Sequence, residues 1–323
     1  MIDKYGRSID YLRVSITDRC NLRCIYCMPS QGVTFKTHSS ILRYEEIIKI
    51  VEVGTELGIK KVRITGGEPL VRQGVVNLIK ELRKIPELED ITMTTNGVLL
   101  PKYAFALKRA GLSRVNISLD SLNPDTYKTI TRRGEFSQAI EGIKAALEVG
   151  LNPVKINTVV MKGINDNELE NFVNLTIDKD LHVRFIEYMP MGETSLLSGN
   201  YYVSLNEFKE IIIDKMGMVP VNIQNNGPSK DFKVPGAKGT VGFITAISHN
   251  FCSTCNRMRL TADGFLRPCL ASDVEVNMRD EDGKISSEGV REKFEKALLL
   301  KPISHNFYKN DFFPKKNMSQ IGG

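Results

Sequence analysis

The sequence predicts an α/β fold: an incomplete (β/α)6 barrel of the TIM type, with a C-terminal extension covering its open side. Three observations point to it. Through the first 190 residues, about six short β-branched runs alternate with amphipathic, helix-like stretches, the pattern of a parallel sheet with helices outside it. Most of those runs have one apolar and one polar face. Beyond residue 190 the alternation stops. Six units are fewer than the eight of a closed barrel, and a doubly wound open sheet is the competing arrangement.

The runs cover residues 11–17, 60–65, 90–95, 114–120, 154–161 and 182–187. In the first, Leu12, Val14 and Ile16 oppose Arg13, Ser15 and Thr17; in the second, Val62 and Ile64 oppose Lys61, Arg63 and Thr65. In the fourth, Val115, Ile117 and Leu119 oppose Arg114, Asn116, Ser118 and Asp120; in the fifth, Val154 and Ile156 oppose Lys155 and Asn157. Side chains alternate faces along a strand, and a strand covered by helices on both faces reads apolar throughout. One polar face therefore suits a barrel whose inside is a wet cavity, although edge strands would alternate in the same way. The stretches "RYEEIIKIVEVGTELG" and "EFSQAIEGIKAALEVG" each end at a glycine, a common helix stop. These units place a barrel over residues 1–190 and the extension over 191–323. In the extension, the loop "PMGETSLLSGNYY" leads to a helix near 205–216, then to "NNGPSKDFKVPGAKG" and a β run, "TVGFITAIS".

Composition bounds the function. Of 323 residues, 41% are hydrophobic and 25% charged, an ordinary balance for a chain with a sizeable core. The polar start "MIDKYGRSIDYLR" does not read as a signal peptide, and no apolar run approaches the ~20 residues that span a bilayer. A cytoplasmic protein without membrane partners is expected. In that reducing compartment, grouped cysteines read as ligands rather than disulfides. The net charge of +6 is spread along the chain without basic runs interleaved with aromatics, so no nucleic-acid partner is expected. Inward-facing basic residues serving an anionic small molecule account for the same excess.

The six cysteines form two triplets. Cys20, Cys24 and Cys27 follow the first strand with the spacing Cys-x3-Cys-x2-Cys. Thiolates bind zinc, copper(I) or iron–sulfur clusters. A structural zinc site closes four ligands, whereas three cysteines on a 4Fe-4S cluster leave one iron open to a small molecule. Zinc completed by a distant histidine is the alternative; His38 is the nearest. The second triplet is Cys252, Cys255 and Cys269, for which the choices are zinc with His249 or another cluster with an open iron. After the second strand comes "ITGGEP", with Gly66, Gly67, Glu68 and Pro69. Paired glycines admit close backbone approach, and an ordinary turn would read the same way.

The first triplet, with Tyr26 before its last cysteine, resembles the signature of the radical S-adenosylmethionine (SAM) superfamily. That resemblance implies a partial barrel of the radical SAM type, with the active site on the loops after the strands. It implies that the open iron chelates the methionine end of SAM and that an electron from the cluster cleaves the sulfonium. The resulting 5′-deoxyadenosyl radical would abstract hydrogen from substrate. Tyr26 and residues Gly66, Gly67, Glu68 and Pro69 are then cofactor contacts.

A longer ordered series resembles the GTP 3′,8-cyclase (molybdenum cofactor biosynthesis protein A) family over nearly the whole chain: "LRVSITDRCNLRCIYCMP", "VRITGGEPLVR", "TTNG", "NISLDSL", "KGIND", "RFIEYMP", "FCSTCNRMRL" and the terminal "IGG". By that resemblance Ser118 and Met189 contact SAM, while Cys252, Cys255 and Cys269 hold a second 4Fe-4S cluster at the guanine ring. The implied GTP contacts are Arg13, Arg63, Thr94, Lys155, Arg257, Met258 and Arg259, and Gly322 and Gly323 enter the barrel as a catalytic tail. The implied reaction joins C3′ of GTP to C8 of its own guanine. It gives (8S)-3′,8-cyclo-7,8-dihydroguanosine 5′-triphosphate, the first step of molybdenum cofactor biosynthesis. Implied partners are an electron donor of reductase, ferredoxin or flavodoxin type and the next enzyme, cyclic pyranopterin monophosphate synthase; monomer and homodimer both stay open.

Charge agrees with this resemblance. Arg13, Arg63 and Lys155 lie on the polar faces of three strands, and Arg257 and Arg259 alternate after Cys255. Cations gathered on one cavity need an anion, and arginine forks suit phosphate oxygens. No G-x4-GK[ST] loop is present, which speaks against P-loop hydrolysis. A peptide-modifying radical SAM enzyme with an auxiliary cluster would not need these cations. A non-enzymatic zinc scaffold would be colourless. The loop after Cys27 carries no interpretable motif.

Overall fold

Strand alternation closes the core in the computed structural model, which describes residues 1–193, 201–222, 227–305, 307 and 314–322. Six strands, Tyr11–Ser15 (β1), Lys61–Thr65 (β2), Asp90–Thr95 (β3), Arg114–Ser118 (β4), Val154–Val160 (β5) and Leu181–Glu187 (β6), pair side by side in chain order, all parallel. Leu12, Val14, Ile16, Val62, Ile64, Val115, Ile117, Leu119, Val154 and Ile156 are all 0% exposed. They share one apolar cluster with the buried faces of the helices Tyr44–Glu56 (α1), Val75–Leu82 (α2), Leu100–Arg109 (α3), Phe136–Glu148 (α5) and Leu169–Asp178 (α6). The opposite, polar faces turn to a common cavity. This is the partial barrel and not the doubly wound sheet.

Local chemistry fixes the helix ends. Pro124–Thr131 (α4) starts at Asn123, whose side chain accepts from the N–H groups of Asp125 and Thr126, with proline at the first position, where its missing N–H costs nothing. The glycines that follow α1 and α5, Gly58 and Gly150, have φ of 105° and 71°, the left-handed conformation that ends a helix.

The extension does more than cover an open side, because it lengthens the sheet at both edges. Its helix Leu205–Met216 (α7), capped by Ser204, is followed by Val219–Pro220 (β7), Lys230–Lys233 (β8) and Thr240–Ile244 (β9). β9 adds to β6 in parallel, with β8 and then β7 antiparallel beyond it. Arg257–Leu260 (β10) adds to β1 in parallel on the other side, with Phe265–Arg267 (β11) and Val276–Asn277 (β12) beyond. Ser287–Leu299 (α8) sets Phe294 against Gly54 of α1, and Met318–Ile321 (α9) opens with an Asn317/Gln320 capping box. Among the described residues no helix is long and apolar enough to cross a membrane.

One glycine shows how tightly the helices lie on the sheet. A Cβ on Gly142 of α5 would stand 2.1 Å from the Gly97 carbonyl oxygen, in the loop after β3. Alanine ordinarily stabilises a helix by ~1 kcal/mol over glycine, but overpacking against fixed backbone costs about 1–3 kcal/mol. Gly142→Ala is expected to lower the melting temperature, with a net loss of about 1 kcal/mol once the helix-propensity gain is subtracted. A raised melting temperature would contradict this packing.

Candidate functional site

Register gathers the basic residues. Arg259, Arg13 and Arg63 are Cα partners across β10, β1 and β2, and Arg257, Tyr11 and Lys61 are partners two residues earlier. These residues line a cavity of about 640 Å³ together with Thr94, Ser118, Lys155 and Met189. Burial, then Arg259 and Arg63, hold Arg13 well below the ordinary arginine range. Burial lowers Arg63 as well, and Arg259 to about 10. Lys155 is brought down to about 7 by burial, then by Arg184, Arg114 and Arg63. Tyr11 sits between Arg63 and Arg257, whose guanidinium carbons lie 5.5 and 5.9 Å from its ring centre. The Asp90 carboxylate is committed to Arg114, which donates to it at 2.9 and 2.5 Å.

Of the further wall residues, Lys61, Arg114, Asn116 and Asn157 stood on the polar strand faces in the sequence without a role assigned, and Arg184 is an addition. Lys61, Arg114, Asn116, Asn157 and Arg184 all face the cavity. The signal was available: Arg184 stands between buried Val183 and Phe185 in β6, as Arg63 stands between Val62 and Ile64 in β2. Thr94 Oγ1, Asn116 Oδ1 and Asn157 Oδ1 are buried and have no hydrogen-bond partner among the described residues. Such orphans are rare in native proteins and mark a wall shaped for a polar ligand.

Cys20, Cys24, Tyr26 and Cys27 occupy the same wall. Their loop is pinned to the end of α4: Arg23 N–H donates to Thr131 O and Ile25 N–H to Ile130 O. Arg132, at φ 60°, donates to the carbonyls of Arg23 and Met28, one on each side of the last two cysteines. Tyr26 donates to Asp120 at 2.7 Å. Burial pushes the Cys20 thiol up to about 11 and Cys27 to about 12.

Gly66 and Gly67 line the cavity, but the backbone they approach is the chain's own. A Cβ on Gly66 would lie 2.6 Å from Thr17 O, and one on Gly67 2.3 Å from Arg19 O. Gly67 N–H donates to Thr17 O and Glu68 N–H to Arg19 O. Glu68 and Pro69 are buried behind the described wall. The Glu68 carboxylate accepts from Leu70 N–H, Thr95 Oγ1 and Asn96 N–H, while burial raises it to about 7 against those bonds. Asn96 in turn donates to Asn21, beside Cys20. Glu68 thus braces the cysteine loop.

Cys252, Cys255 and Cys269 lie next to the cavity, with their neighbours Phe251, Asn256 and Leu270 on its wall. All six cysteines are half-buried free thiols. Among the described residues no three His, Cys, Asp or Glu side chains converge on a single-ion geometry, while the thiols of each triplet are close enough to perturb one another. Three thiolates in each triplet suit a 4Fe-4S cluster that leaves one iron open, whereas a structural zinc closes four ligands.

Met258 is a correction. It alternates with Arg257 and Arg259 along β10, so its side chain points into the apolar cluster, fully buried, and makes no part of the described wall. The tail does reach the barrel: Gly322, at φ 74°, accepts from Arg259 Nη1 at 2.7 Å, and a Cβ on it would lie 2.9 Å from Ser15 Cβ. Gly323 lies outside the described residues.

Residues 14–176 match the radical SAM superfamily, and residues 181–307 match Molybdenum Cofactor Synthesis C. The chain is 50% identical to the GTP 3′,8-cyclase of Alkaliphilus metalliredigens and 49% identical to that of Moorella thermoacetica, covering 100% of both chains in each case. Among solved structures it is similar to Streptococcus suis SuiB bound to S-adenosylmethionine, with TM-score 0.61 and 18% identity over 84% of this chain and 63% of that one. It is also similar to native anSMEcpe with bound AdoMet, with TM-score 0.54 and 17% identity over 92% and 82%. At those identities the structural likeness is one of fold.

Lys155 gives the cavity a pH signature. Its folded pKa of about 7 lies below its ordinary 10.5, so between those values the unfolded chain holds the extra proton and the free protein gains stability as pH rises. A bound polyanion favours the charged amine and draws its pKa back up. Inorganic triphosphate is therefore expected to bind with proton uptake at pH 8, and with much less at pH 6. Calorimetry in buffers of different ionisation enthalpy reads the uptake, which Lys155→Met should remove. Equal uptake in that variant would refute the assignment.

Proposed function

Because this chain belongs to the GTP 3′,8-cyclase family of the radical SAM superfamily, we propose that its cavity holds GTP between two cysteine triplets, with the triphosphate on the converging cations. It is a radical SAM enzyme of molybdenum cofactor biosynthesis that uses SAM and two 4Fe-4S clusters. Its product is (8S)-3′,8-cyclo-7,8-dihydroguanosine 5′-triphosphate. The observation that carries the residue assignment is the convergence of Arg13, Arg63, Lys155, Arg257 and Arg259 on one wall that also includes the first triplet.

Cys20, Cys24 and Cys27 hold the first cluster, beside which the wall residues Tyr26, Gly66, Gly67, Ser118 and Met189 position SAM. Cys252, Cys255 and Cys269 hold the second, at the guanine end. The cluster that Cys20, Cys24 and Cys27 would hold would, when bound and reduced, supply the electron for SAM cleavage and thereby the means of removing hydrogen from C3′ of GTP. The protein's own work is placement. Thr94, Asn116 and Asn157 offer their unpartnered polar atoms to the nucleoside, and the cations fix the triphosphate, so C3′ and C8 of one molecule are held together. Residues 1–190 supply SAM cleavage and residues 191–323 supply the guanine end. A reductase, ferredoxin or flavodoxin in the cytoplasm delivers electrons, and cyclic pyranopterin monophosphate synthase takes the product.

Two measurements test this reading. Arg63→Ala or Arg257→Ala is expected to weaken GTP binding by about 1.5–3 kcal/mol, the worth of a charged hydrogen bond, and to spare SAM. Separate titrations decide, and equal losses for both ligands would refute the placement. The tail is tested by removing Gly322 and Gly323. Cluster content and melting temperature should hold while cyclised product falls sharply, since Gly322 sits against Ser15 and Thr65 at the ends of β1 and β2. Product at the full-length rate would make the tail a mere chain end.

A further inference from the structure

We propose that Lys301 positions the second cysteine triplet by donating a hydrogen bond to the Cys255 sulfur, and thereby sets the reduction potential of the iron–sulfur group held there. The proposal rests on the assignment of that cluster to Cys252, Cys255 and Cys269.

Lys301 follows α8 in "LLLKPIS", where a lysine would ordinarily reach solvent. Instead it is 1% exposed. A buried ammonium has three hydrogens to place and no acceptor of its own. All three are accounted for: Nζ stands 2.7 Å from Arg257 O, 2.7 Å from Pro268 O and 3.8 Å from Cys255 Sγ. The first two carbonyls belong to the segments that carry Cys255 and Cys269, so one amine joins two parts of the triplet that are far apart in sequence. The third member is tied to the same short stretch. Arg7 donates to the carbonyls of Cys252, Pro302 and Ile303. Residues 301–303 are therefore the common anchor of all three cysteines.

Two bonds to carbonyls would suffice for a strut. The third contact, to sulfur, has a separate consequence. Hydrogen bonds to ligand sulfur and nearby positive charge stabilise the reduced, more negative cluster and raise its potential. At the first triplet Cys20 accepts from Leu22 N–H at 3.3 Å and faces Asn96 Nδ2 at 3.9 Å, both of them neutral amides, whereas Lys301 brings a charged donor. The two clusters are thus given different surroundings by residues outside both cysteine motifs.

The test isolates the second cluster in the full chain carrying Cys20→Ala, Cys24→Ala and Cys27→Ala. The reconstituted parent should hold about four irons; a parent without iron overturns the cluster assignment and the proposal with it. With the parent grown on 15N-lysine, pulsed EPR of the reduced cluster should show a 15N coupling, which needs no substitution and so no risk to folding. Absence of that coupling overturns the proposal. Lys301→Met in the same parent should shift the midpoint potential to a more negative value, whatever happens to thermal stability. A midpoint equal to the parent's reduces Lys301 to a strut and overturns its role at the sulfur.

Discussion

Arg259, Arg13 and Arg63 stand at one level of three neighbouring parallel strands, and much of the molecule can be understood as what makes that arrangement tolerable. Adjacent strands are only ~4.8 Å apart, and like charges directly across a ladder are destabilising, more so away from water. The other face of the same strands offsets the cost. Leu12, Val14, Val62 and Ile64 are fully buried, each contributing about 1.5–3 kcal/mol. One carboxylate, Asp90, pairs with Arg114 on the same wall and offsets part of the charge. What remains is a cationic wall whose natural complement is a polyphosphate.

The strands and helices were largely legible because their signals are local. The run 90–95 is β3 to the residue, and the helix near 205–216 runs from Leu205 to Met216, since period-two alternation and capping act over a few neighbours. Partner choice is not local. "RMRL" alternates as a strand should, yet nothing in four residues says that it pairs with β1, some 245 positions earlier. The same limit hid what Gly66 and Gly67 approach, which is residues 17–19, and hid the burial of Lys301. Motif membership also misled at Met258, where simple alternation already placed the side chain in the core.

The first cysteine loop is held by rigid elements from several directions. Thr131 and Arg132 at the end of α4 fix its backbone, Asp120 after β4 holds Tyr26, and Glu68 fixes Asn96 beside Asn21. Loops that must present ligands within fractions of an ångström need such support. The second triplet is braced differently. Its first two cysteines lie in the stretch 245–256 that runs from the end of β9 to the start of β10, and so from one edge of the parallel sheet to the other.

That route has a kinetic consequence. β1 acquires its outer neighbour only when residues 257–260 exist, and at ~5–20 residues per second a ribosome needs roughly 12–50 s to reach them after β1 is made. Throughout that interval β1 is a bare edge, the kind of surface on which nascent chains aggregate. Inward-pointing charge is one of the ways proteins guard such edges, and Arg13 lies in the middle of this one. The guanidinium that later meets phosphate thus also discourages the wrong strand from docking while the right one is still being translated.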